Sequence, residues 1–148
     1  ARTHVNTRIM ANITIGLSMS SSNVLSTPLA LAESFSASVD SGSLIRAKVK
    51  GTAADTNDMI VYLANDKNDR AYLYIQNLAS ELENYIYVRN ETESDSALTA
   101  KIGGGEFAFV PIAPDKTHAV YATKVDTLIE YGVFGNDNSS VVFGGSGT

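Results

Sequence analysis

The sequence predicts an all-β protein, an antiparallel β-sandwich of the jelly-roll-like kind with an extended N-terminal arm. Three observations lead to this prediction. Eight to ten short segments have the composition of strands, and turn-forming residues separate them every 8–12 residues. No segment keeps a helical period of about 3.6 residues for three turns. The length of 148 residues is that of one domain, large enough to bury a core without disulfides or metals.

Charge and composition narrow the classes of protein further. With 11 basic and 16 acidic residues the net charge is −5, which argues against a nucleic-acid partner because such binding needs a basic face. The absence of cysteine excludes disulfides and thiolate metal sites. Only 18% of the residues are charged, which is common in extracellular and assembly proteins built from strands. No apolar run reaches about 18 residues, so no membrane partner is expected.

The two ends of the chain differ from the segment between them, and the predicted organisation is an arm at 1–10, a β-sandwich domain at 11–134 and a tail at 135–148. The arm is polar, lacks the apolar core of a signal peptide and carries Arg2, His4 and Arg8. We expect a terminus without fixed structure when the chain is alone, and the functional alternative is a strap that orders against a partner. The tail contains one apolar island, Val141-Val142-Phe143, which either contacts a neighbouring subunit or packs on its own domain.

The first third of the predicted domain contains three strands. Apolar and small polar residues alternate from 11 to 19, which predicts a half-buried strand followed by a turn at 20–23. After Pro28, apolar residues at odd positions up to Val39 predict a second extended strand, either regular or with a bulge. A turn at 40–43 leads to a third strand at 45–49, whose outer face carries lysine and arginine.

The middle of the domain has the most regular alternation. An apolar run at 59–63 predicts a strand, and the run of asparagine and aspartate at 65–69 predicts a turn. Next, 72–76 alternates aromatic and aliphatic residues, a polar connection spans 77–84 with at most one helical turn, and 85–88 repeats the alternation. These two segments resemble each other as neighbouring strands of one sheet often do.

The last third is predicted to contain four short strands. An acidic loop at 90–96 precedes a strand at 98–102, and three glycines separate that strand from the next at 106–110. Two prolines close this segment, and strands at 119–122 and 127–134 follow. The glycines lack the Lys-Ser/Thr of a phosphate loop and no helix follows them, so they predict a tight turn that needs positive φ.

None of the polar clusters forms a recognisable catalytic or metal-binding motif. An EF-hand beginning at Asp66 would need glycine and glutamate where Ala71 and Asn77 stand, so the cluster predicts a hairpin turn, with a calcium site in the loop as the alternative. The acids at 91, 93 and 95 fit a solvated loop better than a rigidly held acid–base pair. His118 lies near Asp115, but no Gly-x-Ser-x-Gly motif accompanies it, and we predict no catalytic residue.

All seven tyrosines lie in predicted strands, and the chain has no tryptophan. Tyrosine in a sheet commonly packs in the core with its hydroxyl at the rim, and this is the expected role. Exposed tyrosines would instead contact a sugar or another protein. Stacking on nucleic-acid bases is the least expected role because the chain is acidic.

Four segments carry a resemblance to a known group of proteins: 11–18 (ANITIGLS), 72–77 (YLYIQN), 105–112 (GEFAFVPI) and 128–134 (LIEYGVF). They resemble the small virion structural proteins of tailed bacteriophages, particularly those of marine and cyanobacterial hosts. The resemblance covers most of 11–134 and reflects the alternation of residues along strands rather than a set of residues with a particular chemistry.

The resemblance implies a non-enzymatic protein of the capsid surface that decorates or cements the shell, with no cofactor. Its partner would be the major capsid protein, whose adjacent capsomers it would bridge, and it would be a homo-oligomer, either a trimer or a dimer. Partner contacts would come from Arg2, His4 and Arg8 of the arm and from Val141, Val142 and Phe143 of the tail. The alternative is an adhesion module of a tail or head fibre that binds host carbohydrate. A sugar hydrolase is a weaker third candidate because most acids lie in loops.

Overall fold

The computed structural model describes residues 11–54, 58–91 and 98–137. In these ranges the chain forms eleven strands and no helix, and all the strand pairs are antiparallel. The prediction of an all-β protein built from packed antiparallel sheets is therefore confirmed. The chain divides into two compact units, 1–40 and 41–148, and this division falls inside the range that the sequence assigned to one domain.

The first unit contains a two-stranded hairpin. Strand β1 (Ala11–Ser21) pairs with β2 (Leu29–Val39) over eleven residues each, from Ala11 opposite Val39 to Ser21 opposite Leu29. The predicted strands are confirmed and β1 is two residues longer than expected. The register runs without the bulge that Pro28 suggested, because the proline lies just before β2 and therefore removes no donor from the ladder.

The second unit contains two packed sheets. Their strands are β3 (Ser41–Gly42), β4 (Ile45–Val49), β5 (Met59–Tyr62), β6 (Lys67–Asn77), β7 (Ile86–Asn90), β8 (Leu98–Ile102), β9 (Phe107–Ile112), β10 (His118–Ala122) and β11 (Thr127–Asp137). One sheet has the order β5-β10-β7-β8. In the other, β11 lies between β6 and the pair β3 and β4, and β9 pairs with the far side of β6.

The pairing pattern is that of a jelly roll. Here β3 and β4 are counted as one interrupted strand, which is the first of the unit and pairs with the last, β11. Further inward along the chain, β5 pairs with β10, β6 with β9, and β7 with β8. This is a long antiparallel ribbon folded back on itself. The additional pairs β6–β11 and β7–β10 join its layers into two sheets.

The core of the second unit lies between the two sheets and is built from alternating strand positions. On β6, Leu73 and Ile75 are fully buried, as are Ile86 on β7, Val120 on β10 and Ile129 on β11. Each alternates with residues on the outer face, as the period of two predicts. Tyr62 is buried in this core, so core packing is confirmed for it, whereas Tyr72 is buried on the outer face of its sheet, where it stacks on Phe109.

Turn chemistry accounts for several strand ends. Gly105 has φ +86°, and the amide of Glu106 donates to the carbonyl of Gly103 at 3.0 Å, which confirms the tight turn. The turn predicted at 65–69 is shorter than expected, because β6 begins at Lys67 and the remaining irregularity is a bulge opposite β11 in which Asp69 has φ +62°.

Three details differ from the sequence-based prediction. The segments 72–76 and 85–88 are alike, yet β6 and β7 belong to different sheets. The connection 77–84 forms no helical turn. It is held by the buried Asn77, whose amide nitrogen donates to the carbonyls of Asn84 and Ile102 at 2.7 and 3.0 Å. Finally, β11 extends to Asp137, three residues past the predicted end.

Candidate functional surfaces

The hairpin of β1 and β2 has two chemically different faces. Because side chains alternate along both strands and the register is continuous, opposite residues share a face. One face, which we call the apolar hairpin face, consists of the odd-numbered residues. These are Ala11, Ile13, Ile15, Leu17, Met19 and Ser21 of β1 and Leu29, Leu31, Glu33, Phe35, Ala37 and Val39 of β2, of which Ala37 and Val39 are buried. The other face carries only serine, threonine, asparagine, alanine and glycine.

Much of the apolar hairpin face is open to solvent. Leu17 is 49% exposed, Met19 48% and Phe35 43%, and Val24 and Leu25 in the connecting loop are also exposed. Ile13 and Ile15 are half-buried. A run of exposed apolar side chains on neighbouring strands indicates a surface that contacts another molecule.

The outer face of the β5-β10-β7-β8 sheet carries a row of tyrosines. The rings of Tyr87 on β7 and Tyr121 on β10 stack with centroids 4.9 Å apart, and Tyr85 lies 6.3 Å from Tyr87. Lys101, opposite Tyr87 on β8, places its ammonium 4.2 Å from the centre of the Tyr85 ring. We call these four residues the tyrosine row. Each of its tyrosines is half-buried.

An ion pair is buried beside the tyrosine row. The guanidinium Nε of Arg89 donates to the carboxylate of Asp58, and both side chains are almost completely shielded from solvent. A second nitrogen of Arg89 lies 3.8 Å from the carboxylate of Glu91. A shielded and charge-neutral pair of this kind is a structural feature, because breaking it would leave an uncompensated charge.

A second charged cluster joins three strands at one corner of the second unit. The ammonium of Lys67 donates to the hydroxyl of Ser41 at 2.7 Å and to the carboxylate of Asp137 at 2.8 Å, and it lies 3.4 Å from Asp66. Burial alone would lower the pKa of Lys67, but the carboxylates of Asp137 and Asp66 outweigh it and raise the pKa above its ordinary value. The charged ammonium of Lys67 therefore links β6 to β3 and β11.

Two shallow grooves lie along the open sides of the sandwich. One, of about 350 Å³, separates the β3–β4 side of one sheet from β5 of the other, and Ile45, Ile60 and Leu63 line its exposed rim. The other, of about 530 Å³, runs between β8 and β9, where Phe107 is 66% exposed. Both grooves are partly apolar and neither brings several acids together.

His118 is the first residue of β10 and lies inside the second unit. It is buried next to Tyr62, with ring centroids 6.4 Å apart, and neither ring nitrogen has a hydrogen-bond partner among the described residues. Burial lowers the pKa of His118 below its ordinary value.

The residues that the sequence singled out as partner contacts, Arg2, His4, Arg8, Val141, Val142 and Phe143, lie outside the described residues. Of the three acidic residues in the loop at 90–96, only Glu91 lies in the part of the chain that the structure describes. In 11–54, 58–91 and 98–137, no group of three or more histidine, aspartate or glutamate side chains could hold a metal ion. The same ranges contain no helix long and apolar enough to cross a membrane.

Sequence reasoning missed the apolar hairpin face as a site. The alternation of β1 carries the signal, but alternation by itself predicts a half-buried sandwich strand equally well. Comparison with protein-family models, with curated proteins and with solved structures found no match.

Proposed function

We propose that this protein is a non-enzymatic structural protein of a phage virion, a decoration or cement protein that binds the major capsid protein at the capsid surface and stabilises the shell. The proposal combines the resemblance of 11–134 to small virion proteins with the chemistry of the hairpin. Jelly rolls occur in viral capsid proteins and in lectins, so the fold is compatible with the proposal but does not by itself select it.

The observation that carries the proposal is the exposed apolar hairpin face. A two-stranded ribbon is at best marginally stable alone in water, because it has no second layer on which to bury its side chains. Leu17, Met19 and Phe35 are thus positioned for burial in a larger assembly. A protein that functions within a particle, rather than as a free monomer, accounts for such a surface.

The second unit would supply the rigid body that such a protein needs. Its core is continuous across both sheets, and corner contacts such as Lys67 with Asp137 join its strands. A rigid body loses little conformational entropy when it docks, so most of the contact energy remains available to hold neighbouring capsomers together.

The proposal is tested on virions of the phage whose genome encodes the chain. Quantitative mass spectrometry should find it at a copy number comparable with that of the major capsid protein, and electron cryomicroscopy should place it on the shell. Capsids stripped of the protein should rupture at a lower temperature, and adding the purified chain back should restore the original temperature. Absence from the virion, or stripped capsids of unchanged stability, would overturn the proposal.

A second candidate function is adhesion to host carbohydrate by a tail or head fibre, and the tyrosine row favours it. Tyrosine rings on an outer sheet face can pack against the apolar faces of sugars, and Lys101 adds a hydrogen-bond donor beside them. Location at a few tail positions, together with glycan binding that Tyr121→Ala abolishes and Tyr72→Phe leaves intact, would select this function.

A further inference from the structure

We propose that the apolar hairpin face binds the same face of a second copy of this chain, so that the hairpin is the oligomerisation element of the protein. The inference rests on the proposed function in one respect, namely that the face is buried in the assembled particle. It goes further by identifying what covers the face. The occupant is another hairpin rather than the shell protein.

The charge of the hairpin supports a second copy as the occupant. Residues 11–39 contain one charged side chain, Glu33, although the whole chain has a net charge of −5. Two acidic chains that approach through their hairpins therefore meet with little repulsion. A partner recognised through opposite charge would need several charged groups on this face, and the face offers only Glu33. Interfaces between identical subunits are characteristically the more apolar ones.

The edge of β1 is a second feature that favours association of the hairpin with another chain. Among the described residues β1 pairs only with β2, and it runs for eleven residues without proline, lysine or any other charged residue. Proteins that stay monomeric usually protect a strand of this length with charges, prolines or bulges, because an unprotected edge promotes association. The edge of β1 has none of these features.

The size of the face indicates how strong the association should be. Eleven residues span about 37 Å and two strands about 10 Å, so each copy contributes a footprint of at most about 370 Å², since Ala37 and Val39 at one end are already buried. Two such faces bury less than the roughly 1,200–2,000 Å² of stable specific complexes. We therefore expect micromolar association of the free protein, which the many copies on a shell would strengthen through multivalency.

Glu33 provides a substitution that should strengthen the association. It lies opposite Leu17 on the apolar hairpin face, so a face-to-face pair brings one carboxylate from each copy into an apolar interface. Removing these charges abolishes both their desolvation cost and their mutual repulsion. Glu33→Leu should tighten the association about tenfold.

The experiment measures the mass of the purified chain by sedimentation velocity from about 1 to 200 μM, with no capsid present. The wild type should shift from 15.7 kDa to at least twice this mass. The double variant Leu17→Ser with Met19→Ser should associate at least about 100-fold more weakly. The matched control, Ala30→Ser with Ala32→Ser, changes the opposite face of the same hairpin and should associate like the wild type.

Cross-linking through an introduced cysteine gives a readout that does not depend on weakening the hairpin. The chain has no cysteine, and Leu17 is near the middle of β1, so it lies within the interface whether the two ribbons run parallel or antiparallel. Sheets packed face to face lie about 10 Å apart, beyond the reach of a disulfide, so the cross-linker is a short bis-maleimide. Leu17→Cys should form a covalent dimer with this reagent, and Ser18→Cys on the opposite face should do so at least about tenfold more slowly.

The possible outcomes separate this inference from the proposed function. A wild type that stays monomeric up to 200 μM, or association that persists in the Leu17→Ser, Met19→Ser variant, overturns the inference. If the monomer binds stripped capsids through the same face, the shell protein is the occupant and the proposed function stands. If the chain associates through its hairpin but is absent from virions, the inference stands and the proposed function fails.

Discussion

The hairpin and the jelly-roll unit have the same alternating sequence pattern, but their apolar side chains differ in burial. In β6 the alternation places Leu73 and Ile75 between two sheets, where they are fully buried. In β1 an equally regular alternation places Leu17 and Met19 on a face that remains about half exposed. A period of two therefore determines which residues share a face. Whether the same chain also supplies a second layer to cover that face depends on the topology.

The largest expected difference between the two regions is the effect of truncating a leucine. Leu73→Ala should lower the free energy of unfolding by about 3–5 kcal/mol, because it leaves a cavity in the core. Leu17→Ala should change the same quantity by less than about 0.5 kcal/mol in dilute protein, because the side chain is already half hydrated. Urea unfolding followed by circular dichroism measures both, and similar losses would show that the comparison is wrong.

A smaller effect is expected from the charges of the two regions. Asp58→Asn removes the shielded carboxylate that pairs with Arg89, and the more distant and more exposed Glu91 replaces it only in part, so the protein should be destabilised by about 3 kcal/mol. Glu33→Leu removes an exposed charge and should leave the stability of the dilute protein nearly unchanged. The double variant Asp58→Leu with Arg89→Met should recover part of the loss. Full stability of Asp58→Asn would mean that the pair is not buried.

The smallest expected effect is a pH dependence that originates in the second unit. Burial keeps the pKa of His118 below that of an unfolded histidine, so the unfolded state binds a proton more readily. The contribution to stability is therefore complete above about pH 6.5 and is lost as the pH falls below this value. Urea unfolding at about pH 7.5 and about pH 5.5 should show a smaller loss in His118→Phe than in the wild type, and equal losses would rule out this role.

Much of the local structure could be predicted from the sequence because it is set by short-range rules. Alternation located β1, β4 and β6, and three successive glycines located the turn in which Gly105 has positive φ. The pairing of distant strands could not be predicted in this way. The segments of β6 and β7 are similar in composition, and only the folded ribbon places them in different sheets.

The candidate surface was harder to predict than the strands. Ile13, Ile15, Leu17 and Met19 share one side of a strand, but whether such side chains are exposed depends on which other segments pack on them, and no local pattern reports this. The near absence of charge between 11 and 39 was the signal that could have distinguished the hairpin from an ordinary sandwich strand. The hydrogen bonds of the buried Asn77 side chain could not be predicted either, because their acceptors are backbone carbonyls of residues distant in sequence.

The central claim is that contact with another molecule stabilises the hairpin. Hydrogen–deuterium exchange read by mass spectrometry tests this claim directly, with the free chain at 1 μM, the free chain at 200 μM and the virion-bound chain compared. We predict that amides of 11–39 exchange rapidly at 1 μM, that those of β6, β10 and β11 are protected throughout, and that the hairpin becomes protected at 200 μM and in the virion. Protection of the hairpin at 1 μM equal to that of β6 would contradict the account.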